Sequence, residues 1–168
     1  MKRRRGFSLI ELLIVVAVIL ILAAIAIPNL LRARIAANES SAATSIRKIG
    51  TAEVAYDTTY PTVGYANVLT DLGGTVPCSP GQNSACILDT VLSGGSKSGY
   101  TFSALGFTTG GSSNNTAFVA GSAPQSYNIS GIRNFCMISD GTLRALTPAG
   151  PGTPPATTVA ACGLYPAQ

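Results

Sequence analysis

At 168 residues, 46% hydrophobic and only 11% charged, the chain has room for one modest domain and an appendage. Its formal charge of +4 is a local effect: Lys2, Arg3, Arg4 and Arg5 supply four of the 11 basic residues, and the rest balances seven basic against seven acidic side chains. With no basic stripe beyond that cluster and no histidine, neither specific nucleic-acid binding, a His-dependent triad nor a histidine-completed zinc shell is expected.

The apolar excess sits in residues 7–31. From Leu12 to Ile27 there is no polar side chain, and around that core only Ser8, Glu11, Pro28 and Asn29 interrupt the run. Its length matches the roughly 20 residues a helix needs to cross a bilayer core. The basic cluster in front of it reads as a topology signal that holds this end in the cytoplasm. Pro28 lacks a backbone donor and is expected to kink the helix or loosen one turn. The helix continues beyond it, because Ile35, Ala42, Ile46, Ile49, Ala52 and Tyr56 recur at steps of three, four or seven and mark one apolar face. Arg32, Arg34, Glu39, Arg47 and Lys48 fall mostly on the remaining circumference. The pattern predicts one helix over 7–56, apolar and exposed in its first half and amphipathic in its second.

Tyr60-Pro61 opens a different style of sequence. A short helical turn is expected at 67–72, followed by loops. Strands are predicted at 100–105, 116–120, 134–138 and 143–146, where imperfect alternation suits half-buried antiparallel pairs. Residues 106–115 read as a flexible connection and 147–155 as a Pro/Gly-rich tail. Four cysteines without a CxxC pair point to an oxidising compartment rather than a metal site. Three connectivities are possible. Pairing in sequence order, Cys78 with Cys86 and Cys136 with Cys162, is preferred because each bridge then closes a loop over a turn-rich stretch. Each bridge would contribute roughly 2–4 kcal/mol.

The junction KRRRG-FSLIE places a basic head, a small residue, an aromatic, an acid and an unbroken apolar body in one order. A secretory signal would instead be cut after the apolar region, and the alanines at 23, 24 and 26 offer such a place. Removing residues 1–26, however, would leave a helix whose apolar stripe has nothing obvious to pack against. GFSLIELLIVVAVILILAAIAIP closely resembles the class III signal of type IV pilins and type II secretion pseudopilins, over about residues 5–35. That resemblance implies cleavage between Gly6 and Phe7 by a membrane-embedded prepilin peptidase that also methylates the Phe7 amine. Glycine suits the cut because it leaves the scissile bond open to a protease at the membrane surface.

The resemblance also gives Glu11 an account. A lone carboxylate at the bilayer midplane costs about 2.5–3.5 kcal/mol or more. Cleavage would create a cationic amine at Phe7, and in a filament a neighbour's amine could be brought beside Glu11 as its helix slides into register. The alternative is an acid paired within its own chain or reaching for the interface. The sequence departs from the family at Leu20, where many members carry glycine. Leucine is the better helix former by about 0.8 kcal/mol or a little less, so local unwinding is in doubt there.

The fold so implied is α+β and type IV pilin-like: a long N-terminal helix packed by its second half on a small antiparallel sheet, with a loop-rich, disulfide-stapled C-terminal region. Its parts would be a cleaved leader (1–6), a transmembrane and filament-core half-helix (7–31), an amphipathic half-helix (32–57) and a globular head (58–168). The implied partners are identical subunits in a helical filament, the peptidase/N-methyltransferase, inner-membrane assembly machinery and, before assembly, the bilayer. The expected role is structural, with no enzyme activity, cofactor or metal. A pilus subunit is placed first, a periplasmic pseudopilin of type II secretion second, and a singly anchored enzyme or binding module third.

Other candidate sites fall away. Ser93–Gly99 lacks the outer glycine spacing of a phosphate loop and reads as a plain loop. Asp71, Asp89 and Asp140 are isolated acids in turn-like settings, although some pseudopilins hold calcium with help from carbonyl oxygens. Asn38, Asn114 and Asn128 begin Asn-x-Ser/Thr triplets, which are ordinary in so Ser/Thr-rich a chain.

Overall fold

A computed structural model describes residues 7–168. It divides into two compact units, one ending at Arg34 and the other covering Ile35–Gln168. Helix α1, Leu9–Thr59, contributes to both. It begins two residues later and ends three later than its periodicity suggests, and it is helical without a break at Leu20 and Pro28.

In the first unit, the apolar side chains of α1 are exposed almost throughout, as at Leu13, Leu20 and Leu30. Among the described residues of this unit, no other surface covers them. Residues 9–31 extend about 34 Å at 1.5 Å per residue, close to the roughly 30 Å of a bilayer's hydrocarbon core.

The second unit is built around the amphipathic part of α1. Ala42, Ile46, Ile49, Ala52 and Tyr56 are buried, as their spacing predicts. A 3₁₀ turn, Leu69–Leu72, falls within the expected turn, and a one-turn helix α2, Thr90–Ser93, follows. Five antiparallel strands then form a meander in chain order: β1 Ser96–Lys97, β2 Tyr100–Phe107, β3 Ala117–Pro124, β4 Asn134–Ile138 and β5 Arg144–Leu146. A last short helix, α3, is Val159–Gly163.

The sheet is covered on both faces, which explains why alternation was weak. Phe102, Phe118, Ala120, Phe135 and Met137 join the helix stripe in one core cluster. Val119 and Cys136, pointing the other way, pack with Ala156, Cys162 and Tyr165 from the C-terminal segment. A strand buried on two sides reads as a continuous run rather than an alternating one. Gly121 belongs to this arrangement, since a side chain there would collide with the backbone of Ala156.

Three readings of the sequence need correction. Residues 93–99 are not a plain loop: Ser96 and Lys97 pair with Thr101 and Tyr100 across a two-residue turn. Ser98 and Gly99 both have positive φ, 51° and 72°, the combination of a type I′ hairpin turn. The strand foreseen at 116–120 continues to Pro124, because Gly121, Ser122 and Ala123 are poor strand formers held by neighbours on each face. Glu39 does not lie on the solvent face but is buried on the core side of α1.

Candidate assembly site at the N-terminus of the helix

Phe7 and Ser8 lead into α1. The Ser8 carbonyl accepts the first helical bond, from the Leu12 amide at 3.2 Å, so Ser8 is the residue that caps the helix. Glu11, three residues on, reaches back and accepts from the Ser8 amide through Oε2 at 2.9 Å. Ser-x-x-Glu is the capping-box spacing, and this is the half of the box in which the acid satisfies an otherwise orphaned donor. A carboxylate in the first turn also faces the positive end of the helix dipole. In the isolated chain Glu11 is therefore paired locally, and it remains exposed. Phe7 and Leu9 are each 79% exposed, and Ile10 and Leu12 beyond them are exposed as well. Gly6 and the 1–6 leader lie outside the described residues.

The remaining candidate acids already have partners. Asp71 is buried and accepts from the Val68 amide at 3.3 Å. Asp89 caps α2 through the Leu92 amide at 2.9 Å and lies 3.9 Å from Lys97 Nζ. Asp140 is paired with Arg144, whose hydrogen bond holds its carboxyl below the usual range. These three are not gathered into one site, and among the described residues no three His, Cys, Asp or Glu side chains are grouped to hold a metal ion. Of the three asparagines, Asn38 donates to the Ser130 carbonyl and Asn114 to that of Pro61, while Asn128 holds a turn at φ 62°.

Cys78 is bonded to Cys86, and Cys136 to Cys162. The first bridge closes a loop beside the 3₁₀ turn. The second ties α3 to β4 inside the smaller core cluster.

Two buried acids of α1 escaped the reading of the sequence. Glu39 accepts the amides of Ile132 and Arg133 at 2.9 and 3.2 Å and the Arg133 Nε at 2.8 Å. This grip ties the helix to the segment that enters β4. Glu53 is fully buried: Oε2 accepts the Ala66 amide at 2.9 Å, and Oε1 has no partner. Burial pushes its pKa up to about 8, the Ala66 hydrogen bond lowering it and the Asp71 charge raising it. A signal for both was present. Positions 39, 42, 46, 49, 53 and 56 follow one another at steps of three and four, so both acids stand in the apolar stripe itself.

The fold is α+β and pilin-like: a long N-terminal helix, an antiparallel sheet of five strands and two disulfides. The family described as "Prokaryotic N-terminal methylation motif" matches residues 1–27. The type IV major pilin protein PilA of Myxococcus xanthus is 50% identical over 54 residues, 32% of this chain and 24% of its own length. The type IV wide pilus major component PilA4 of Thermus thermophilus is 62% identical over 40 residues, 24% of this chain and 30% of its own. The chain thus spans less than a third of the length of either relative. No solved structure matches it significantly. The methylation motif lies at the N-terminal end of the chain, and the two relatives to which the chain is similar are type IV pilins by name.

Proposed function

We propose that the chain is a prepilin, the structural subunit of a type IV pilus. The observation that carries this is the N-terminal segment: a methylation motif over residues 1–27 leading into a helix whose apolar side chains are exposed from Leu9 to Leu31. Such a surface demands a bilayer or other copies of itself. In this reading the leader is removed after Gly6 and the Phe7 amine is methylated. Residues 7–31 hold the subunit in the inner membrane, N-terminus in the cytoplasm, until assembly machinery extracts it. The same residues then form the filament core, and residues 58–168 the outward-facing head. Glu11 gives up its bond to the Ser8 amide for the methylated amine of a neighbouring Phe7.

The two relatives are pilus components by name, which favours the pilus over the secretion pseudopilin. Their structural character also suits a role without catalysis. Mass spectrometry of the subunit in sheared surface filaments tests the proposal. A mature terminus at methylated Phe7 is expected; a terminus at Met1, or one after Ala26, overturns it.

A further inference from the structure

In the Ile35–Gln168 unit, all but three of the charged side chains have evident work. Glu39 pairs with Arg133, Asp89 with Lys97 and Asp140 with Arg144. Glu53 and Asp71 are buried on backbone amides. The exceptions are Arg47, Lys48 and Asp57, all on α1, and none has an ion-pair partner among the described residues.

Their placement on the helix is specific. Lys48 stands one residue before buried Ile49, and Asp57 one residue after buried Tyr56. One step round a helix is about 100°, so the two flank the buried stripe on opposite edges. They are also separated by nine residues, about 14 Å along the axis. On the Lys48 edge runs a shallow groove of about 440 Å³, with Arg47 and Lys48 at its rim, Ala52, Ala55 and Ile87 along its apolar lining, and Asp89, which Lys97 meets at 3.9 Å, at its far side. On the Asp57 edge stands Val54, one turn earlier and 52% exposed.

Lys48 and Asp57, on opposite edges of one helix and about 14 Å apart along it, cannot meet within the chain, and Arg47, which also lines a cavity beside Val54, lies about 15 Å along the axis from Asp57. They can meet between copies. We propose that this pair of edges is a contact between successive subunits: Asp57 of one copy, with Val54 beside it, meets Lys48 at the groove of the next, the two helices parallel and offset by about 14 Å. The occupant is a second copy because the chain itself supplies both unpaired signs and an apolar neighbour for each. The contact is head to tail, joining two different surfaces, and therefore repeats as an open series where a two-fold pairing would close. The inference rests on the pilus-subunit reading above.

The test is a charge exchange in the full-length protein, with sheared filaments quantified against the subunit remaining in the membrane. K48E and D57K each lower filament yield by about fivefold or more, the factor that ~1 kcal/mol carries. The exchange variant K48E/D57K recovers most of the loss, and membrane subunit levels stay unchanged throughout. As a second measurement, K48C/D57C subunits treated with a short bis-maleimide give a ladder of dimers, trimers and higher species in filaments, whereas each single variant does not. Normal filaments from both single variants, or an exchange variant no better than they are, overturn the contact. So does normal assembly of K48E coupled with loss of binding to a polyanion such as heparin, which would make the groove a ligand site instead. Wild-type cells that shed no filaments overturn the pilus reading itself, a distinct result.

Discussion

In the single chain the Glu11 carboxylate closes on the amide of Ser8, whereas the proposed filament requires it to face a neighbour's cationic amine. Glutamine separates these two tasks, because it can still accept the amide hydrogen bond but carries no charge. The E11Q variant is expected to be processed normally and to accumulate in the membrane, with sheared filaments reduced about tenfold, the equivalent of ~1.4 kcal/mol. Filaments at wild-type yield would leave Glu11 as a helix cap alone. Glu53 supports a different measurement. It is fully buried with one unpartnered oxygen, and Asp71, Tyr56 and Tyr65 are the titratable groups coupled to it. Its pKa is raised from 4.5 to about 8, so the folded state holds a proton that the unfolded chain gives up. That stability is fully present below about pH 4.5 and is lost as pH rises toward about 8, at up to ~1.4 kcal/mol per pH unit. Thermal denaturation of the detergent-solubilised full chain should show this slope, and E53Q should flatten it. A wild-type profile that is flat, or that rises, over this range would contradict a neutral Glu53.

Among the elements, the second half of α1 and the sheet are joined by polar grips as well as by apolar packing. Replacing Glu39 with alanine leaves the Ile132 and Arg133 amides without their acceptor and Arg133 without its partner. A loss of about 2–4 kcal/mol is expected in denaturant unfolding. The disulfides differ in reach. Cys136 and Cys162 are 26 residues apart, against eight for Cys78 and Cys86. On the loop-entropy scale C136A/C162A should lower stability by ~3.5 kcal/mol and C78A/C86A by ~2.5. An equal or reversed order would show that the longer bridge does not constrain the unfolded chain as proposed. Much of this architecture was legible in the sequence, because α1 repeats its apolar residues at helical spacing over several turns and β4 is a dense run, Asn134–Ile138. What escaped has physical reasons. β1 has two residues, and α2 and α3 are one-turn helices held by the Asp89 and Thr158 caps, too short to carry a period. The latter half of β3 is Gly, Ser and Ala, whose extended form depends on neighbours distant in the sequence. Glu39 and Glu53 hold helical positions that spacing places inward, but their charge argued for solvent until a backbone supplied the donors.

For the molecule as a whole, the informative contrast is between its two units. The Ile35–Gln168 unit buries its own apolar residues in two clusters, while the unit ending at Arg34 leaves Leu9 to Leu31 uncovered. The candidate site was readable in the sequence because it depends on local order: charge, glycine, aromatic, acid, apolar run. The proposed contact through Lys48 and Asp57 was not, since it emerges only when every other charge in its unit has been given a partner. Helix α1 is unbroken at Leu20, consistent with leucine's greater helix propensity over glycine, and it is also helical through Pro28. An L20G variant should exchange amide hydrogens faster around position 20, since glycine weakens the helix by up to ~0.8–1.0 kcal/mol there; unchanged exchange would show that packing, not propensity, sets the helix at that point. The central claim is that this uncovered helix is a filament core released by cleavage after Gly6. Its most direct test is mass spectrometry of the subunit in filaments sheared from the cell surface. A chain beginning at N-methylated Phe7 is expected; a subunit that keeps Met1, or one that has lost the apolar run through Ala26, would contradict that origin of the filament core.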